Sequence, residues 1–473
     1  MDELVANIET VDAEAQLRVP ETNVPQIAGD STTTSAVRRR RGRDFRRYWV
    51  AGAVDAMGSH AATIVVPLIV LGAGGSVTLA GAVATLSIGV ETLVEPVAGV
   101  LADRVSRRSM MIVAALFAAA AALALALVVA QDGYRLDVVV ALVLAEAIAT
   151  ASYGAAAQGA IRQLLPPDDP QPALAALQAR DQGAALVGPP VGGLLFSLTR
   201  WAPLLFNAIS YVVTAVLVAG IRTDLTPTAA VDRERVDREP EDPRDSFLQS
   251  SRAGLRLVFG HPFLRFALSW GAGINAVFAT VYYVVLLNAA SSGASAAAIG
   301  VLLGVASGLG LVGSLAAPTV LRRVAPTKLI PLTSWVMVVL VAAMGLTGEL
   351  FAQGLLLGTV LLISPAVSIL FQSYAIATVP VEMQGRAGGV MGFFLGLSLL
   401  AAPVSAGLMV QWLAGWAVTT VLAALLALLA VYARTGTQAL LDCASAIEED
   451  LADASESSEP SESSQAPESE VEA

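Results

Sequence analysis

The chain has 473 residues, 55% of them hydrophobic and 14% charged, with a mean hydropathy of +0.68. An ordinary globular protein is about 25% charged, so a chain this apolar cannot clothe a compact particle in polar side chains, and its solvent is largely lipid. The formal charge of −11 is local, because the chain beyond Ser445 carries ten acidic residues and no basic one. The single Cys443 excludes intramolecular disulfides and cysteine metal sites, and two histidines are too few for a histidine-rich metal centre. Composition therefore points to an integral membrane protein.

Residues 1–45 are polar and punctuated by proline, and they end in the basic block Arg38-Arg39-Arg40-Arg41-Gly42-Arg43. No apolar run precedes that block, which predicts a disordered N-terminus that stays cytoplasmic. A bilayer core about 30 Å thick needs roughly 20 apolar residues per helix. Six such runs precede the middle of the chain, at about 48–71, 79–102, 109–131, 137–161, 172–198 and 202–221. Six follow it, at about 263–288, 296–321, 328–348, 352–375, 386–410 and 414–434. Between them residues 223–250 form a charged, proline-containing linker, and residues 436–473 end in a Ser/Glu/Pro tail that cannot fold. The expected organisation is an all-α membrane protein of twelve transmembrane helices in two six-helix bundles, residues 46–222 and 251–435.

Charge supports the count. With both termini inside, the cytoplasmic segments receive Arg38–Arg47, Arg104, Arg107, Arg108, Arg162, the linker arginines, Arg322, Arg323, Lys328, Arg386 and Arg434. The external turns receive only Arg135 and Arg200, as the positive-inside rule requires. The halves also repeat: Pro190-Val191 matches Pro403-Val404, and Arg107-Arg108 matches Arg322-Arg323. Parallel repeats of this kind place a transport site near the midplane between the halves.

A charge at the bilayer centre costs about 2.5–3.5 kcal/mol on insertion scales, so each one needs a reason. On the depths implied by these spans, Asp55 faces Glu95 and His60 faces Glu91. Glu91 and Glu95 share a helix face, being four residues apart. The cluster suits proton exchange or recognition of a cationic group; the alternative is a buried polar cluster that joins two helices and never titrates. Glu146 reads as a rim carboxylate, and Arg180-Asp181 as an internal ion pair. No phosphate-binding Gly-x-x-x-x-Gly-Lys-Ser/Thr loop and no His-Glu-x-x-His motif occurs, so neither ATP-driven nor zinc-dependent chemistry is expected. The basic block beside a first membrane helix sets topology and touches lipid headgroups rather than nucleic acid.

Gly99-Val100-Leu101-Ala102-Asp103-Arg104-Val105-Ser106-Arg107-Arg108 resembles the Gly-x-Leu-Ala-Asp-Arg-x-Gly-Arg-Arg loop of the major facilitator superfamily, with Ser106 in place of a glycine. Gly188-Pro189-Pro190-Val191-Gly192-Gly193 is similar to the core of that superfamily's antiporter motif, although Ala175 and Ala184 stand where upstream glycines are expected. The neighbourhoods of Pro67, Asp103-Arg104 and Arg162–Pro166 resemble the macrolide and siderophore exporter branch of the drug–proton antiporters. The fourth span lacks the mid-helix arginine of many such antiporters. The resemblance implies that Gly99, Asp103, Arg104, Arg107 and Arg108 form a conformational latch against the eleventh helix near Gly385–Gly389. It also implies that the first, fourth, seventh and tenth helices line the cavity, where Asn275, Tyr282, Gln372 and Tyr374 can touch substrate. The expected protein is a monomeric secondary transporter of the cell membrane, without cofactor or enzymatic activity. It exports a hydrophobic or amphiphilic small molecule against protons; uptake or facilitated diffusion of a small solute is the alternative.

Overall fold

The computed structural model describes residues 31–131, 133–165, 171–226, 243–379 and 381–434, and all regular structure among them is α-helical. The N-terminal bundle comprises α1 (Ser31–Ala62), α2 (Val65–Gly72), α3 (Val77–Ala102), α4 (Arg107–Val129), α5 (Leu136–Leu164), α6 (Gln171–Leu198) and α7 (Ala202–Ala219). The C-terminal bundle follows as α8 (Pro243–Gly260), α9 (Pro262–Ser291), α10 (Ala296–Arg323), α11 (Pro326–Met344), α12 (Leu350–Thr378), α13 (Val381–Leu400), α14 (Ala402–Trp412) and α15 (Gly415–Arg434). Two spans are broken helices, α1 with α2 and α13 with α14. The first break, at Thr63, lies four residues before Pro67, whose ring cannot donate to that carbonyl and clashes with it.

Eleven of the described spans are long and apolar enough to cross a membrane. The sequence count is twelve; the difference is α6, which is 28 residues long but carries Gln178, Arg180, Asp181 and Gln182 as well as Pro189 and Pro190. That helix packs between α1, α7 and the opposite bundle's α10; Arg180 and Gln182 are partly buried there, whereas Gln178 and Asp181 are exposed.

Two expectations about the segments outside the bundles change. The first helix starts at Ser31, and Asp44 is 1% exposed, so disorder does not extend to residue 45. Asp44 accepts bonds from Arg222 N (3.0 Å), Thr223 N (2.8 Å) and Thr223 Oγ1 (2.8 Å). Beside it Arg47 donates to the carbonyl of Gly220 and Arg108 to that of Ala219. These are orphan carbonyls at the C-terminal end of α7, where cationic donors complement both hydrogen bonding and the helix dipole. Likewise the linker becomes helical at Pro243. Residues 1–30, 227–242 and 435–473 lie outside the described residues, as does the Arg162 side chain.

The duplication is visible in backbone geometry. Gly74 and Gly293 both adopt positive φ (78° and 80°), and Ser76 and Ser295 both cap the next helix, accepting from Leu79 N (3.1 Å) and Ala298 N (3.2 Å). Further along these helices, Gly81 of α3 meets the backbone of Pro403 in α14, and Gly300 of α10 meets that of Pro189 and Pro190 in α6. Each of these pairs is offset by 219 residues. The two glycine–proline crossings join the bundles, because the lack of a Cβ lets two backbones approach where any other side chain would separate them.

Both crossings lie at one end of the molecule, and contact fades away from them. Along α3, Gly81 touches backbone, Gly89 touches only the Leu400 side chain at 3.1 Å, and Gly99 has nothing within 4 Å. Along α14 and α13, Gly407 abuts Val77 and Thr78, whereas Gly396, Gly392, Gly389 and Gly388 meet nothing. In the second seam Gly304 packs on Pro190, Gly308 reaches Leu186 at 3.1 Å, and Gly183 is free. The bundles therefore form a V, sealed at the end of the Gly74 and Gly293 turns and open at the end bearing Asp103.

Candidate functional site

The N-terminal bundle gathers the ionisable groups, but not in the pairs expected from helix depth. Arg180 lies over Gly52, one turn from Asp55, and forms an ion pair with Asp181 (2.8 Å). The ion pair of α6 is therefore the one set beside Asp55. His60 packs its Cβ against Gly188 of α6, and the charge acting on it is Asp181, so it too faces α6 rather than Glu91. The reason is the closeness of the α1–α6 crossing. Gly188 and Gly192, one turn apart, bring α6 onto the backbone of His60 and Ala61, which turns the polar stripe of α1 toward α6. Glu91 keeps Glu95 one turn away on α3, and α3 packs against α9, α13 and α14, so this pair lies on a helix at the boundary between the halves.

Glu146 is not a rim carboxylate. Its Oε1 accepts from Asn207 Nδ2 (2.7 Å) and from Tyr211 OH (3.0 Å), side chains of residues that are 0% and 2% exposed. Tyr211 OH also lies 3.4 Å from Ser59 Oγ, so the network joins α1, α5 and α7. No basic side chain acts on Glu146; the charged groups that do are Glu91 and Asp55. The sequence signal for this site was an acid in one helix with an amide and a phenol four residues apart in another.

The loop after α3 is open. Asp103 is 72% exposed and pairs with Arg107 NH2 at 3.1 Å, one helical turn away. An exposed pair of this kind contributes only about 0.2–1 kcal/mol. Arg107 also packs over Gly159 of α5, and Arg108 holds the end of α7. Within the Gly188–Gly193 segment, Gly193 faces Ala296 of α10 while Gly188 and Gly192 face α1, so its small residues serve two helix contacts at once.

The C-terminal bundle offers a cavity of about 480 Å³ walled by α9, α11, α12 and α13. Asn275 and Gln372 line it, as the sequence expected of substrate-contacting residues. Tyr282 and Tyr374 do not: Tyr282 packs edge-on against Tyr283 (5.5 Å between centroids) and Tyr374 against Phe263 (5.8 Å). Sequence reasoning missed Trp270 and Phe371, whose rings meet at 5.2 Å in the cavity wall. An aromatic in an apolar helix carries no periodic signal that separates cavity from core.

Two bundles related by a repeat, pinched together at one end and parted at the other, define an alternating-access membrane carrier. The profile of the Major Facilitator Superfamily matches residues 48–403, well over half the chain, and the chain belongs to that superfamily. No curated protein sequence matches it significantly. Its fold is similar to that of a bacterial homologue of the human lysosomal transporter Spinster in an inward-facing, unoccupied conformation (TM-score 0.64, 13% identity, covering 85% of this chain and 98% of that one). It is also similar to the nucleoside transporter NupG (0.63, 12%, 83% and 98%) and to a D-xylose–proton symporter (0.59, 14%, 81% and 96%). The protein is a multi-pass membrane transporter and not an enzyme.

Proposed function

We propose that the protein is a proton-coupled exporter of a hydrophobic or amphiphilic small molecule, a monomer in the cell membrane with both termini in the cytoplasm. On that orientation the open V is the inward-facing state. The observation that carries the reading is Glu91, an acid one turn from Glu95 within α3, a membrane helix that packs against α9, α13 and α14 of the other bundle. A carboxylate at that boundary changes its surroundings whenever the bundles rock, which is what proton exchange between two sides requires. Asp55 and His60, against the Arg180–Asp181 pair, form the inner part of the same relay. Asn275 and Gln372 contact substrate, while Tyr282 and Tyr374 stand outside the lining and pack on Tyr283 and Phe263.

Closure of the open end brings Asp103 and its arginines to α13, where the latch favours the outward-facing state. Gly188, Pro189, Pro190, Gly192 and Gly193 hold the opposite end. The macrolide and siderophore exporter branch, which the loop and antiporter-type segments resemble, favours export. The proton symporter of similar fold keeps uptake as the second reading.

The test compares cells with and without the gene against a panel of toxic amphiphiles at two external pH values. Export driven by protons gives protection that fades at alkaline pH, and Glu91→Gln removes that protection at unchanged protein level. Sensitisation by the gene points to uptake, and full protection by Glu91→Gln takes this residue out of coupling.

A further inference from the structure

We infer that the cavity inside the C-terminal bundle binds an uncharged aromatic molecule bearing a hydrogen-bond acceptor, with Trp270 as its anchor. The inference deepens the transport reading, since it names the substrate class of that carrier. The volume of about 480 Å³ falls within the roughly 300–1,000 Å³ of small-molecule sites. The cavity follows α9 from Ala267 to Phe278, roughly 17 Å at the helical rise.

The walls select by chemistry. Among the described lining residues none is charged, so an ion entering the cavity loses its hydration without gaining a partner among them. Trp270, Phe278 and Phe371 supply aromatic faces, against which a planar ring packs in offset or edge geometry. Met337 and Met391 add flexible, polarisable surface that adapts to differing ring shapes.

Two kinds of polar group remain uncommitted. Trp270 is 3% exposed, and its indole N–H, a donor only, has no hydrogen-bond partner among the described residues. A buried donor without a partner is uncommon in a folded protein, and an acceptor on a ligand lodged beside the indole satisfies it. The amides of Asn275 and Gln372 likewise make no hydrogen bond among the described residues, and each offers both donors and an acceptor. Ser368 and Gln372, one turn apart on α12, are exposed while Ala366, Val367 and Leu370 are buried, so this polar stripe forms the mouth of the cavity.

Gly271 provides the decisive variant. It lines the cavity, and a Cβ added there meets only the Leu395 side chain at 3.6 Å, an ordinary contact. Gly271→Leu therefore fills the space without forcing the backbone. The experiment titrates the purified full chain in lipid nanodiscs with three probes sharing one naphthalene skeleton: neutral dansylamide, anionic 5-dimethylaminonaphthalene-1-sulfonate and cationic dansyl-ethylenediamine. Dansylamide is expected to saturate with one site per chain, and each charged analogue to bind at least about tenfold more weakly. Gly271→Leu should weaken dansylamide about tenfold or more, and Trp270→Phe, which keeps the ring and removes the N–H, several-fold.

Equal affinity for the charged analogues, or dansylamide binding unchanged in Gly271→Leu, overturns the proposal. Melting curves of both variants matching the parent assign a loss of binding to the site rather than to folding. The titration uses no ion gradient, so its outcome is independent of whether Glu91 couples protons or which way the carrier runs.

Discussion

The N-terminal bundle holds Asp55, Glu91, Glu146 and the Arg180–Asp181 pair within its helices, whereas the C-terminal bundle encloses a cavity whose described lining residues bear no charge. Yet the bundles share their frame: positive-φ glycines at 74 and 293, serine caps at 76 and 295, and glycine–proline crossings at 81 and 300. The shared features are those that turn the chain and let the two halves touch. The divergent ones lie along the helices between those frame points, where packing leaves chemistry free to specialise. On the proposed reading, one half of the carrier handles the driving ion and the other recognises cargo. Each half can then be perturbed without the other, provided the seams between them stay intact.

The largest expected effect strikes the shared frame. A Cβ at Gly300 meets the backbone of Pro189 and Pro190, which cannot move aside as a side chain would. Gly300→Leu should hold the sealed end apart and lower transport by at least about tenfold, or about 1.4 kcal/mol in the balance between states. Gly81→Leu, its counterpart in the repeat, should do the same. Accessibility of the seam to a membrane-impermeant thiol reagent, through a cysteine placed at Ser197 in a Cys443→Ser background, checks it. If only one of the two variants impairs transport, the seams are not equivalent and the shared frame is broken.

A smaller effect sharpens the contrast in interior chemistry. Tyr211→Phe removes one of two donors to the Glu146 carboxylate, leaving an acid with fewer partners in a buried network. The expected cost is about 1–3 kcal/mol. In the C-terminal bundle, Ser334 is also buried, but its Oγ only donates back to the Ile330 carbonyl four residues earlier, at 2.8 Å. Ser334→Ala should thus change stability by no more than about 0.5 kcal/mol. Thermal unfolding in one detergent, both variants side by side, gives the comparison directly. Equal losses would mean that the buried polar groups of the two bundles do equivalent structural work.

Much of this frame was legible in the sequence because lipid imposes strong rules. Length and apolarity located the spans, arginine placement gave their alternation, and Pro190 and Pro403 marked the repeat. Those two prolines prove to sit at the two seams. The partners of the buried charges were less legible. Depth along a helix predicts which residues share a level but not which face they occupy, so Asp55 and His60 were matched to α3 when Gly52, Gly188 and Gly192 turn them toward α6. Asp44 looked like part of a polar tail because its partners are backbone groups at Arg222 and Thr223, far away in sequence and without a side-chain signature of their own. The cavity was half legible: the amides of Asn275 and Gln372 stood out in apolar helices, and Trp270 and Phe371 did not.

The smallest effect concerns the junction that introduces the C-terminal bundle. His261 sits between α8 and α9, outside the membrane spans, with its Nδ1 buried and without a partner. Burial holds its pKa below the usual histidine value, so the folded chain favours the neutral ring. An unfolded chain protonates the same ring near its ordinary value of about 6.5. The folded state therefore holds its full stability above that pH and loses some as pH falls from there to the lower folded value, because the unfolded chain binds the extra proton first. His261→Gln should flatten this acid-side decline and leave the melting temperature at pH 8 nearly unchanged. Since the residue is only partly buried, the change is expected to be small, and an identical decline in the variant would mean that the junction contributes nothing to the pH response, leaving it to the acids of the N-terminal bundle.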